Sequence, residues 1–235
     1  MSNLAQAISD NVRQALAEDR GTGDLTATLA EETRTGCARV ISRERAVLCG
    51  CAWFSGCFEA LDPSIRIGWT VKEGEWVDPD QVVCELSGNA RAMLTGERSA
   101  LNFLQLLSAT ATKTRQYVDA VRHTRTRIFD TRKTIPGLRV AQKYAVRVGG
   151  GVNHRMGLYD GILIKENHIL SAGGIRQALE RAACVGDAAA FIQIEVETLD
   201  QLREALDAGA LMILLDNMTL PQIAEAVHIN QGRAQ

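Results

Sequence analysis

Four short apolar runs, TRIFD at 126–130, GILIK at 161–165, FIQIEV at 191–196 and LMILLD at 211–216, decide the fold. Helical stretches near 137–148, 174–184, 198–208 and 219–228 separate or follow them, so the rhythm of this half of the chain is βα. Strands joined through helices pair in parallel, with right-handed crossovers. Each run holds a charged residue near its C-terminal end, namely Asp130, Lys165, Glu195 and Asp216. In an α/β barrel that end of the strands is the active-site face. Four charges in register are therefore read as a site. A closed barrel needs about eight strands, and only four are legible before the chain reaches NQGRAQ just after a helix. Either the barrel is open or its last strands lie beyond Gln235, and the second reading is the one preferred.

Upstream, residues 91–121 read as one long helix or two end to end, a joint between two domains. Before it, short β-like runs (CARVISRE, AVLCGCAWF, SIRIGWTV and WVDPDQVVCELSG) are punctuated by Gly50, Asp62-Pro63, Gly74 and Asp78-Pro79. Residues 4–19 carry helical spacing at Leu4, Ile8, Val12 and Leu16 and end at Gly21-Thr22-Gly23. The fold class expected is α/β. An N-terminal α/β domain with a short-stranded sheet (1–107) precedes an incomplete open α/β barrel (108–235).

The 235 residues are 46% hydrophobic with a net charge of −2, which excludes a disordered chain. No run approaches the ~18 apolar residues of a membrane span, and the first twenty residues are amphipathic rather than a secretion signal. The six cysteines (37, 49, 51, 57, 84 and 184) form no CxxC pair and have no histidine pair near them. Reduced thiols in a cytoplasmic protein are expected, and zinc is not. The small net charge hides a division: between Arg122 and Lys165 ten Lys/Arg face two acids, which leaves −10 for the rest. Few aromatics lie among those cations, no nucleic-acid module is recognisable, and the acidic remainder would repel a long phosphate backbone. A small polyanion fits better.

The chemistry concentrates in three places. Asp130-Thr131-Arg132-Lys133-Thr134-Ile135-Pro136-Gly137 puts two cations and two hydroxyls in one loop before a helix, suited to a carboxylate or phosphate. A solvated loop is the plain alternative. The run Gly149-Gly150-Gly151 is neither a Walker loop nor GxGxxG after a strand, and reads as a helix end and turn. His154-Arg155 just beyond it is more suggestive. Lys165 ends a strand, where burial calls for an anion or a carboxylate partner, whereas His168 reads as structural. Glu195 and Asp216 could hold Mg²⁺, bind sugar hydroxyls, steady developing positive charge, or simply pair with the cations above.

The stretch DTRKTIPGLRVAQKYAVRVGGGVNHRMGLYDGILIKENHI (130–169) resembles the signature of the quinolinate phosphoribosyltransferases, also called carboxylating nicotinate-nucleotide pyrophosphorylases. EDRGTGDLT (18–26), LTGERSALNFLQLLSATAT (94–112), IEVETL (194–199) and LLDNM (214–218) extend the likeness over nearly the whole chain. The resemblance implies a type II phosphoribosyltransferase fold with an open, seven-stranded barrel, in an obligate homodimer or an assembly of dimers as a hexamer. It implies the reaction of quinolinate with phosphoribosyl pyrophosphate and Mg²⁺ to nicotinate mononucleotide, pyrophosphate and CO₂, on the route to NAD. Matched motif by motif, Arg132, His154, Arg155 and Lys165 would surround quinolinate, and Thr131 would be a further substrate contact. Arg98 would reach the partner subunit's site. Lys133, Glu195 and Asp216 would face phosphoribosyl pyrophosphate and do the catalytic work, with Glu195 and Asp216 near its metal. Members of the family continue into a loop that binds the 5′-phosphate and has no counterpart before Gln235, so weak or absent turnover is expected of these 235 residues alone.

Two other readings compete. A related enzyme could take nicotinate, or another pyridine-like acceptor. Arg98, Arg132, Arg155 and Lys165 are too many cations for one carboxylate, since an unpaired buried charge costs about 2–5 kcal/mol. Residues 71–88, VKEGEWVDPDQVVCELSG, also resemble half of a biotinyl/lipoyl carrier, but Lys72 lies at a strand end rather than at a hairpin tip.

Overall fold

A computed structural model describes residues 2–185 and 189–235. By packing, the chain divides into two compact units, 1–154 and 155–235.

The first unit opens with α1 (Ser2–Arg20) and a short 3₁₀ turn (Ala27–Leu29), followed by β1 (Thr35–Ile41) and β2 (Ala46–Val47). Then come α2 (Cys51–Glu59), β3 (Arg66–Trp69), β4 (Trp76–Val77), β5 (Val82–Asn89), α3 (Ala90–Val121) and α4 (Arg139–Val148). The sheet has the order β1-β5-β3 with antiparallel pairing, and β2 pairs separately with β4. The run AVLCGCAWF, expected to be extended, is a strand only at its start. Gly50 takes φ +102°, a left-handed conformation open to glycine, and a Cβ there would press on Leu107. The chain turns, and the Glu73 carboxylate accepts from the Gly50 and Cys51 amides, placing negative charge at the start of α2. Trp53, Phe54, Cys57 and Phe58 are then buried.

The stretch 91–121, expected as a joint between domains, lies in one continuous helix of 32 residues inside the first unit, and position 107/108 falls within that helix. Asn89 caps it by accepting from the Ala92 amide at 3.1 Å. Met93, Gly96, Ala100, Phe103, Leu104, Leu107, Ala111 and Thr114 repeat at three- and four-residue spacing and form its buried face. The glycine run after α4 packs against this helix. A Cβ on Gly149 would fall 2.5 Å from the Ala111 carbonyl, and one on Gly151 2.7 Å from a Val146 methyl. Arg115 secures the approach by donating to the Gly149 carbonyl at 2.9 Å and the Val148 carbonyl at 3.1 Å, a cation at the C-terminal end of α4.

The run TRIFD is not the strand its composition predicts. Only Phe129 pairs, in a parallel bridge with Val152. The Asp130 amide donates to the Val152 carbonyl and the Val152 amide to the Ile128 carbonyl. The ladder stops there because the next residues on the facing stretch turn to side chains: the His154 amide and the Asn153 carboxamide both donate to the Asp130 carboxylate.

The second unit contains β6 (Ile162–Ile164), α5 (Glu166–Ala172), α6 (Ile175–Val185), β7 (Ile192–Val196), α7 (Leu199–Asp207), β8 (Ile213–Leu215) and α8 (Leu220–Asn230). The strands run parallel in the order β6-β7-β8, with Ile164 opposite Ile194, and Val196 opposite Leu215. Ile194 and Val196 of the central strand are fully buried among Ile175, Ala178, Leu202 and Ala205 of the covering helices. Three of the four expected strands are thus present as strands, and helices follow each of them. All six cysteines are free. Burial pushes the Cys51, Cys57 and Cys84 thiols up to about 12, so they stay protonated and unreactive at neutral pH.

Candidate active site

The residues expected to carry the chemistry occur in both units, and each set is described within its own. In the first unit they are organised around Asp130. Its Oδ1 accepts from the Lys143 ammonium and, at 2.8 Å, from the His154 amide, while its Oδ2 accepts from Asn153 Nδ2 at 2.6 Å. The Lys143 and Asp130 side chains are 1% and 7% exposed. Lys143 also donates to the His154 carbonyl at 3.0 Å, and Asn153 Nδ2 to the Lys143 carbonyl at 2.8 Å. The sequence placed Asp130 among the charges presented at the strand ends. The structure corrects this, because the Asp130 side chain is buried and both its oxygens accept from the chain's own donors.

The cations after it are presented instead. Thr131 and Lys133 are exposed, and the Lys133 amide donates to Thr131 Oγ1 at 3.0 Å, closing a tight turn. The turn is held from its far side, where the Ile135 amide donates to Gln142 Oε1 at 2.8 Å and Arg139 Nε to Thr134 Oγ1 at 3.2 Å. Among the described residues, the one buried side-chain nitrogen or oxygen without a hydrogen-bond partner is Arg132 Nε. A buried donor without a partner costs about 1–3 kcal/mol, more when charged. The loop therefore holds a guanidinium whose hydrogen-bonding capacity an anion would complete. Arg98 lies exposed on α3 and lines a cleft of about 320 Å³ that also includes Asn11, Asn102 and Pro136–Leu138, directly after the loop.

In the second unit Lys165 and Glu195 meet. The ammonium donates to both carboxylate oxygens, at 3.1 and 3.0 Å, from a lysine 45% exposed to a glutamate 7% exposed. The Lys165 amide donates to His168 Nδ1 at 3.0 Å, so His168 is occupied in starting α5, as its structural reading has it. Arg155 donates to the Gly161 carbonyl at 3.1 Å. Asp216 follows β8, its amide donating to the Val196 carbonyl and its Oδ1 accepting from the Asn217 amide at 3.0 Å. Asn217 has φ +55°, in the left-handed region, and is tied down by a bond from its Nδ2 to Glu197 Oε1 at 2.9 Å. Asn217 and Lys143 escape sequence reasoning; the D-N pair after an apolar run was the visible signal for the first.

Residues 24–108 match the family described as quinolinate phosphoribosyl transferase, N-terminal domain, and residues 110–235 its C-terminal domain. The chain belongs to the quinolinate phosphoribosyltransferase family. It is 44% identical over 200 residues to a probable carboxylating nicotinate-nucleotide pyrophosphorylase of Bacillus subtilis, covering 85% of this chain and 69% of that one. It is 41% identical over 218 residues to a protein of the same name from Synechocystis, covering 93% and 74%. The solved structure of the nicotinate-nucleotide pyrophosphorylase from Francisella tularensis superposes with a TM-score of 0.93 at 45% identity, over 97% of this chain and 81% of that one. The stretch 71–88 that suggested a carrier lies inside the family's N-terminal domain, with β5 pairing both β1 and β3.

Proposed function

We propose that this member of the quinolinate phosphoribosyltransferase family joins quinolinate to phosphoribosyl pyrophosphate, giving nicotinate mononucleotide, pyrophosphate and CO₂. The observation that carries the reading is the partly buried Arg132, whose Nε lacks a partner within a loop that also offers the Lys133 ammonium and the Thr131 hydroxyl. Because Lys143 already neutralises Asp130, the loop carries net positive charge toward a ligand. A pyridine with two adjacent carboxylates suits that charge better than one with a single acid group. Thr131, Arg132, His154, Arg155 and Lys165 are assigned to quinolinate, and Lys133, Glu195 and Asp216 to phosphoribosyl pyrophosphate. Arg98 is assigned to the site of a second copy in a homodimer.

The chemistry then needs little acid–base work. The pyridine nitrogen forms a bond to the ribose C1 as the bond to pyrophosphate breaks, and that electron pair leaves with pyrophosphate. Positive charge develops on the ribose, where the Glu195 and Asp216 carboxylates stabilise it. The pyridinium formed then accepts the electrons of the bond to the neighbouring carboxylate as CO₂ departs, and a proton from water completes the ring carbon. Mg²⁺ is part of the proposal only as a companion of phosphoribosyl pyrophosphate. Among the described residues no group of three or more His, Cys, Asp or Glu could hold a metal, and Lys165 engages both oxygens of Glu195. These residues do not fit a protein-held metal centre, and no step is derived through one. A cytoplasmic setting suits six free thiols, and no helix among the described residues is long and apolar enough to cross a membrane.

Product analysis tests the reaction. With quinolinate, phosphoribosyl pyrophosphate and Mg²⁺, whatever turnover the chain shows should yield nicotinate mononucleotide, pyrophosphate and CO₂ in equal amounts. Release of pyrophosphate without CO₂ would assign a different acceptor chemistry.

A further inference from the structure

The Lys143–Asp130–Asn153 cluster does something the reaction does not directly require. It joins three separate pieces of the first unit: the residue that opens the cationic loop, the middle of α4, and the segment ending in His154. Every bond in it either closes the cluster or fixes the backbone of a residue next to the expected ligand contacts. Lys143 holds the carbonyl of His154, and Asp130 holds its amide, so both main-chain groups of that residue are gripped by one ion pair. Asn153 bridges the Asp130 carboxylate and the Lys143 carbonyl, which fixes α4 relative to the loop. Lys143 and Asp130 are too buried to touch a substrate. A buried ion pair is weak evidence for a gain in stability, since well-packed apolar side chains often serve as well. What such a pair supplies that apolar contacts do not is direction: hydrogen bonds to specified main-chain atoms at fixed angles.

We propose that Lys143, Asp130 and Asn153 are positioning residues, a buried knot that sets the Thr131–Thr134 loop and His154 in the geometry that receives the acidic acceptor. The inference rests on the proposed reaction only for the identity of that acceptor. The ordering of the loop and of His154 is a property of the chain alone.

Two variants test it. Asp130→Asn combined with Lys143→Met removes both charges together, leaving no uncompensated buried ion. Asn153→Ala removes one bridge and no charge, and carries the test if the double variant does not fold. Hydrogen exchange is followed by mass spectrometry on both, with quinolinate affinity measured by calorimetry. Exchange at 131–134 and 153–154 should speed up at least tenfold, while α3 and β6–β8 keep the rates of the unaltered chain. Quinolinate affinity should fall about tenfold or more in the double variant and less in Asn153→Ala. Unchanged exchange at those residues overturns the proposal, as does exchange that rises equally throughout, which would make the knot a general stabiliser. Unchanged affinity in a variant whose loop has loosened also overturns it. If the unaltered chain shows no affinity for quinolinate, the substrate reading fails, and the exchange result alone decides the positioning role.

Discussion

Arg132→Met should weaken quinolinate binding by about 30-fold to several thousand-fold, corresponding to about 2–5 kcal/mol for removing one partner of a desolvated charge pair. The same substitution should leave the melting temperature unchanged or raise it. Arg132 Nε has no partner among the described residues, so in the absence of ligand the guanidinium bears an unsatisfied donor that a thioether of similar length does not. Opposite signs in binding and stability distinguish a ligand contact from a structural arginine. Calorimetry and thermal unfolding of the single variant measure both. Loss of binding together with a lower melting temperature would make Arg132 part of the fold.

Glu195→Gln should separate binding from chemistry. The carboxylate is 7% exposed and faces the Lys165 ammonium, so the amide keeps one acceptor for that lysine and preserves the packing of β7. Lys165 is half exposed, and water can serve the donors that lose their partner, so only a small effect on folding is expected. Affinity for an acidic acceptor should hold or rise, because a negative charge beside Lys165 has gone. Whatever rate of nicotinate mononucleotide formation the unaltered chain sustains should fall about 10²–10³-fold, the usual loss when one group stabilising transition-state charge is removed. Single-turnover kinetics with saturating quinolinate reads the rate directly. A rate within a few-fold of the unaltered enzyme would remove Glu195 from the chemistry and leave it as the partner of Lys165.

The second unit was legible in the sequence because its strands read as continuous apolar runs, the central one buried, with the polar residue of interest at or near the end of each. GILIK, FIQIEV and LMILLD became β6, β7 and β8, and Lys165, Glu195 and Asp216 lie at or just past their ends. TRIFD failed by the same criterion. Its composition suits a strand, but the facing segment gives its hydrogen-bonding groups to the Asp130 side chain, a competition that no local pattern carries. Lys143 was invisible for a related reason. A lysine on a short helix reads as a solvated face, yet α4 is buried at Ala141 and Ala145 and also on the Lys143 side. The carboxylate that makes this tolerable comes from another segment. AVLCGCAWF turned into a helix because Glu73, distant in sequence, supplies the negative charge at its start. The cationic loop was legible as chemistry, whereas the partnerless Nε of Arg132 arises only from how the folded chain packs around it.

The central claim is that the cations of this chain are arranged for two adjacent carboxylates on a pyridine ring. Titrating the folded 235-residue chain with quinolinate and, under identical conditions, with nicotinate tests it most directly. Quinolinate should bind about 10²-fold or more tightly, since the single acid of nicotinate leaves cations such as the partly buried Arg132 without a second carboxylate to meet. Equal affinity for the two acids would contradict the account.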